Sequence, residues 1–138
     1  MENCYKVFRS DIIKKIESVG NKDITITERG TSFGYRDLVV DPRTFVILKS
    51  FGYPVIFDGG HSVRKYEFPS SNLKEGGSKQ YVVALCKSAV ANDVDGIFVE
   101  VHPDPNKALC DAATQLSFDE FENLIKKIIL IWSINNEN

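Results

Sequence analysis

Three apolar runs of strand length each finish in a group of charged or hydrogen-bonding residues: ITITERG (Ile24 to Gly30), PVIFDGGHS (Pro54 to Ser62) and GIFVEVHPDP (Gly96 to Pro105). Runs this rich in Val, Ile and Phe suit strands covered on both faces, the condition of a parallel sheet. Equivalent points of the runs, Ile24, Val55 and Ile97, lie 31 and 42 residues apart. Each interval has room for a strand, a crossover helix and two loops. In such folds the loops that follow the strands open onto the functional face, so the ends of the runs are where chemistry belongs.

The intervening segments read as helices. Ser10 as a cap, Ile12, Ile13, Ile16 and Val19 as a stripe and Gly20 as a stop describe a helix ahead of the first strand. Asp41 and Pro42 form a cap and first-turn pair, followed by Phe45, Val46, Leu48 and Phe51 before Gly52. Tyr81, Val82, Leu85, Cys86, Ala89 and Val90 recur at helical spacing up to Asn92 and Asp93. Ser117 and Glu120 have the spacing of a capping box, and Phe118, Phe121, Leu124, Ile125, Ile128, Ile129 and Trp132 form the stripe behind it. The order α-β-α-β-α-β-α argues for a parallel sheet wrapped by helices. The long irregular stretch from Gly59 to Ser78, with Pro69, Ser70 and Ser71 among its glycines, reads as a mobile active-site loop.

Bulk properties mainly exclude. With 17 basic and 19 acidic side chains the net charge is -2, which gives no electrostatic case for nucleic acid or an anionic membrane surface. No uninterrupted apolar stretch, Ile128 to Trp132 among them, comes near the roughly 20 residues of a membrane span. Cys4, Cys86 and Cys110 are odd in number and match neither a disulfide framework nor a CxxC site, so a reducing cytoplasm is the expected home. Met1 to Phe8 has no apolar core of the kind a signal segment carries. The 138 residues suit one domain, 1–138. Three parallel strands, however, leave two edges open, and self-association is the expected response.

At the strand ends, Arg29 follows the first run, His61 the second and Glu100 the third, with Asp111 a short loop further on. A guanidinium suits bidentate recognition of phosphate or carboxylate. An imidazole and two carboxylates suit a divalent ion such as Mn, Fe or Zn. Taken alone, Arg29 reads equally as a partner of Glu28 or Asp58, and His61 as an ordinary loop histidine. His102 and Asp104, beside Pro103 and Pro105, read as turn chemistry. Cys110 reads as a packed thiol rather than a soft ligand.

TERGTSFGYRDLVVDPRTF, PVIFDGGHSV and DGIFVEVHPDPNKALCDAATQL, in this order and spacing, resemble the second half of 3-deoxy-D-manno-octulosonate 8-phosphate synthases. The resemblance runs from about Ser10 to Ile129. The wider family includes the 3-deoxy-D-arabino-heptulosonate 7-phosphate synthases, and the FGY after ERG favours the octulosonate branch. The resemblance implies an α/β fold, a partial (β/α)8 TIM barrel made of its last three βα units plus a preceding helix. It implies condensation of phosphoenolpyruvate with arabinose 5-phosphate, with release of phosphate, on the route to a lipopolysaccharide sugar. By position it makes Arg29 the holder of the phosphoenolpyruvate phosphate, and His61, Glu100 and Asp111 metal ligands, with His61 and Asp111 also catalytic. Family members that work without metal keep these residues too; CDAATQL resembles the metal-dependent branch.

Departures accompany the match. The family's first half has no counterpart here, nor do its phosphoenolpyruvate-binding lysines, its Lys-Ala-Asn-Arg-Ser segment and its cysteine ligand. Asp58, Gly59, Gly60, His61, Ser62, Val63 and Arg64 stand where Asp-Ala-Thr-His-Ser-Val-Gln is usual, and Lys79 where an arginine is usual. The two glycines are expected to loosen the backbone before His61. Two readings follow: a portion of a working synthase, either because the sequence is truncated or because a separate polypeptide supplies the first five strands, or a diverged, inactive half-barrel serving as a binding or assembly element or a gene remnant.

Overall fold

In the computed structural model, residues 4–33, 35, 37–68 and 74–137 are described, with the side chains of 4–9 excepted. Helix α1 (Cys4–Ser18) leads into strand β1 (Ile26–Glu28), a hairpin of β2 (Thr31–Phe33) and β3 (Asp37–Val39), helix α2 (Arg43–Lys49), strand β4 (Val55–Asp58), helix α3 (Val82–Ala91), strand β5 (Gly96–Phe98) and helix α4 (Phe118–Asn136). Strands β1, β4 and β5 form a parallel sheet in that order, with β4 in the centre. The fold is mixed α/β, and the three apolar runs are its three parallel strands.

Burial follows from that central position. Val55 and Phe57 on β4 are fully buried, and Phe57 meets Phe45 of α2 edge to face, ring centroids 5.6 Å apart. On α3 the buried positions are Val82, Cys86, Ala89 and Val90, which pack with Leu124 and Ile128 of α4 in one hydrophobic core. Gly20 and Gly52 close α1 and α2 with φ of 86° and 79°, as their spacing predicts. The capping box of α4 forms: the Ser117 hydroxyl accepts from the Glu120 N–H at 3.2 Å, and Glu120 accepts from the Ser117 N–H at 2.7 Å.

Several expectations are corrected. Ser10 lies inside α1 and does not cap it, because nothing from Cys4 onward breaks a helix and the turn propagates back through it. Tyr81 precedes α3 and is exposed, as are Phe118, Ile129 and Trp132 on α4. The buried stripe of α4 is narrower than its apolar one; Ile129 and Trp132 line an open cleft of about 630 Å³ beside β5. The β2–β3 hairpin, with Thr31 opposite Val39, went unforeseen, because its strands are too short to show alternation.

The described parts of the segment after β4 carry regular turns and backbone pairing. Single 3-10 turns occupy His61–Val63, Lys74–Gly76 and Lys79–Tyr81. Arg64 bridges Gly77, Lys65 N–H donates to Gly76 at 2.9 Å, and Ser78 N–H donates to Val63 at 2.9 Å. The base of the loop is therefore pinned; Pro69, Ser70 and Ser71 lie outside the described residues.

The two glycines before His61 have opposite roles. A Cβ on Gly59 would sit 2.5 Å from the Cys86 sulfur, whereas one on Gly60 would find nothing nearer than 3.8 Å. Gly60 has φ -70° and ψ -58°, a conformation any residue adopts. The pair does not simply loosen the chain: Gly59 is there because α3 packs against it. Urea unfolding should show Gly59→Ala destabilised by about 1–3 kcal/mol, while Gly60→Ala is neutral or gains up to about 1 kcal/mol. Equal effects at both sites would contradict this packing.

Glu120 also accepts from Lys79 Nζ at 2.8 Å, which ties the end of the loop to α4. Burial raises its carboxyl, but Lys79 and the Ser117 N–H outweigh that and hold it below the ordinary glutamate value. A depressed carboxyl contributes stability above its unfolded pKa and loses it as pH falls through the folded one. Thermal melts from pH 7 down to pH 3 should therefore fall less steeply for Glu120→Gln than for the native chain.

Candidate active site

Parallel register brings three strand ends to one rim. Glu28 pairs with Phe57, and Asp58 with Phe98, so the residues that follow β1, β4 and β5 emerge side by side. Those residues include Arg29, His61 and Glu100.

His61 sits in the 3-10 turn just past β4 and is gripped by Asp58. One Asp58 oxygen accepts the His61 backbone N–H at 3.0 Å, and the other lies 2.7 Å from Nδ1. That contact places a proton on Nδ1 and leaves the Nε2 lone pair outward, toward Asp111 Oδ2 at 4.0 Å. The imidazole also stacks on Phe98, the last residue of β5, with centroids 6.3 Å apart and planes 13° from parallel. Ring position and tautomer are thus set from two strands. Asp58, which the sequence offered as one of two possible partners for Arg29, serves His61 instead. Its signal was present, a carboxylate three residues before a histidine at a strand end.

Glu100 and Asp111 are placed by a different device. Leu116 N–H donates to the Glu100 carbonyl at 3.0 Å, and Val101 and Leu116 form a parallel bridge, so the chain returns beside β5. Asp111 holds φ 49°, a left-handed conformation that aspartate tolerates. Its carbonyl accepts from Thr114 N–H at 2.9 Å, Gln115 N–H at 3.1 Å and Thr114 Oγ1 at 3.2 Å. The turn is held through the Asp111 carbonyl, and Oδ1 of its carboxylate is left without a hydrogen-bond partner among the described residues.

One ligand atom each from His61, Glu100 and Asp111 lies within 4.8 Å of the others. Glu100 Oε2 and Asp111 Oδ1 are buried and have no hydrogen-bond partner among the described residues. Two carboxylates held this close repel, and buried acceptors without donors are costly. A divalent cation offsets both terms. Donors about 2.0–2.2 Å from such an ion are at most about 4.4 Å apart, so a contraction of tenths of an ångström completes the set. The residues fit a metal of the Mn, Fe or Zn type.

Arg29 is exposed and pairs with neither Glu28 nor Asp58, the partners considered for it. Glu28 is buried and accepts the Gly30 N–H at 2.5 Å, while Asp58 is taken by His61. Arg29 Nη1 instead donates to Tyr66 Oη at 2.5 Å. Lys79 is committed to Glu120. His102 Nδ1 accepts the Asp104 N–H at 3.0 Å and Asp104 pairs with Lys107 at 2.9 Å, a turn as expected.

Cys110 was expected to pack; it is exposed and stands outside the three-residue cluster, because the turn that presents Asp111 carries its neighbour to the surface. Its thiol is held above the ordinary value by lost solvation and then by the Glu100 and Asp111 charges. Cys86 is the packed thiol, pushed up to about 12 by burial and then by Asp58. Neither is set up as a nucleophile.

The Asp58 contact can be tested without any ligand. At alkaline pH, long-range 15N–1H NMR should show His61 as the Nδ1–H tautomer, and Asp58→Asn should let the Nε2–H form appear. An unchanged tautomer in that variant would refute the orienting role.

The sequence matches the family model described as the DAHP synthetase I family over residues 9–132. Curated relatives named 2-dehydro-3-deoxyphosphooctonate aldolase are similar to it. The protein from Geobacter sp. (strain M21) is 48% identical over 92% of this chain and 46% of its own length. That from Syntrophotalea carbinolica is 44% identical over 94% of this chain and 46% of its own. That from Nitratidesulfovibrio vulgaris (strain DP4) is 43% identical over 90% and 45%. The chain thus spans less than half the length of these relatives, and the resemblance carried by its three segments holds. With its family model matched across most of its residues, the chain belongs to the DAHP synthetase I family.

Proposed function

We propose that this chain supplies part of the active site of a 3-deoxy-D-manno-octulosonate 8-phosphate synthase, as the last three βα units and preceding helix of a (β/α)8 barrel. The carrying observation is the convergence of His61, Glu100 and Asp111 on one rim, with two buried carboxylate oxygens lacking donors among the described residues. In the reaction, C3 of phosphoenolpyruvate attacks the aldehyde carbon of arabinose 5-phosphate and the aldehyde oxygen takes up a proton. Water then adds to the cationic C2, losing a proton, and phosphate leaves by C–O cleavage.

Arg29 binds the phosphoenolpyruvate phosphate, which a guanidinium meets through two parallel N–H groups. His61, Glu100 and Asp111 would hold a divalent metal, whose chemistry when bound is to orient and polarise oxygen ligands. With no metal bound, His61 Nε2 and Asp111 Oδ2, 4.0 Å apart, can both hydrogen-bond one water and either can take its proton; with a metal bound, the Nε2 lone pair would be a ligand and not a base. Asp58 keeps the Nε2 lone pair free for either role. The neighbouring strands of such a barrel, whatever supplies them, would cover the open flanks of β1 and β5.

A diverged half-barrel that only binds or assembles is the second reading, favoured by the changed segment around Gly59 and Gly60. Phosphate release from phosphoenolpyruvate, arabinose 5-phosphate and Mn separates the two. The isolated chain should release none. Mixed with a polypeptide supplying the remaining strands, it should turn over, and His61→Ala should lower that rate by about 10²-fold or more. EDTA should suppress it as well. An inert mixture would favour the second reading, and turnover by the isolated chain would overturn the incomplete-site argument.

A further inference from the structure

We infer that Arg29 and Arg64 together form a two-guanidinium clamp for a phosphate-bearing ligand, with Tyr66 as the shared support. Both guanidinium carbons face the Tyr66 ring, at 5.5 Å for Arg29 and 5.0 Å for Arg64. Arg29 also donates to the Tyr66 hydroxyl at 2.5 Å. Each cation gains from the ring's negative face, yet two like charges gathered on one side chain repel each other.

No carboxylate among the described residues forms an ion pair with Arg29 or Arg64. The described ion pairs of arginine and lysine occupy Arg43, Lys49, Lys79, Lys107 and Lys126, not Arg29 or Arg64. Arg64 Nε is buried and has no hydrogen-bond partner among the described residues. A buried charged donor without an acceptor is costly, and an anion supplies what it lacks. Arg64 lines a cleft of about 360 Å³, room enough for a phosphate ester. Asp37 lines the same cleft, and its Oδ1 is likewise buried without a hydrogen-bond partner among the described residues, so it lowers the net charge there without ion-pairing to Arg64.

Placement of Arg64 is rigid where it matters. Its N–H donates to the His61 carbonyl at 3.2 Å, and its backbone bridges Gly77. The turn that presents His61 therefore also presents Arg64, and Arg29 reaches the same tyrosine from the end of the neighbouring strand. Two forks can grip three phosphate oxygens where one grips two. The inference extends the reading of Arg29 as a phosphate holder and so rests on that reading, but its test needs no turnover.

Titration of the full chain with inorganic phosphate, followed by calorimetry and by the arginine Nε–H signals in NMR, is the experiment. Saturable binding should move the signals of both Arg29 and Arg64, and chloride at equal ionic strength should move neither. Arg64→Gln should weaken phosphate binding about tenfold or more, and Arg64→Lys should fall between, keeping charge but losing the fork. Circular dichroism verifies the fold of each variant, and Arg64→Lys serves if Arg64→Gln does not fold. Native-like affinity in Arg64→Gln, an Arg64 signal that stays still, or no saturation would overturn the clamp. Failure of the complemented protein to make product while phosphate still binds both arginines would sink the synthase reading and leave the clamp standing.

Discussion

Everything at the rim depends on β4 being paired on both sides. Because Phe57 aligns with Glu28 and Asp58 with Phe98, the chain leaves all three strands at one level, and groups distant in sequence become neighbours. An antiparallel partner on either side would send one of these loops to the opposite end. The apolar content of the strands thus has a functional result: Val55 and Phe57, buried against helices, fix the sheet that aims Asp58 and His61. Asp58 is where fold becomes chemistry, since it ends the strand and sets the imidazole in a single contact.

Much of this was legible in the letters, for identifiable reasons. Continuous apolar runs and capping residues are local signals, and they located three strands, the α4 capping box and the helix stops at Gly20 and Gly52. The meeting of His61, Glu100 and Asp111 could be suspected from their positions after the strands, because parallel topology converts that position into proximity. What was missed was non-local or too short. The β2–β3 hairpin has three residues on each side, too few for a period to register. Tyr66 as the partner of Arg29 arises from a loop folding back, which no spacing rule encodes. Ser10 misled because a capping residue type is also tolerated within a helix when the flanking residues are helical.

The glycine pair before His61 shows how a departure from a family pattern can mislead when read by residue type alone. Flexibility is the usual association of glycine, yet at position 59 a side chain is excluded by the Cys86 sulfur. Packing between α3 and the end of β4 therefore bears on the site directly. That sulfur is inert because burial keeps it protonated, so close contact with the Asp58 segment does not bring reactive chemistry.

Charge is divided along the rim. On one side, Asp58, Glu100 and Asp111 surround a single imidazole, a strongly negative locus suited to a cation. On the other, Arg29 and Arg64 meet at Tyr66, a positive locus suited to an anion. The two are linked covalently by the short stretch from His61 to Tyr66, whose base is pinned by the Arg64–Gly77 bridge. A ligand combining an anionic group with an oxygen able to approach a metal is the chemistry that satisfies both loci at once. Glu100 Oε2 and Asp111 Oδ1 on one side and Arg64 Nε on the other are buried without a hydrogen-bond partner among the described residues, and it is this pairing of unmet acceptors with an unmet donor along one rim that sets it apart.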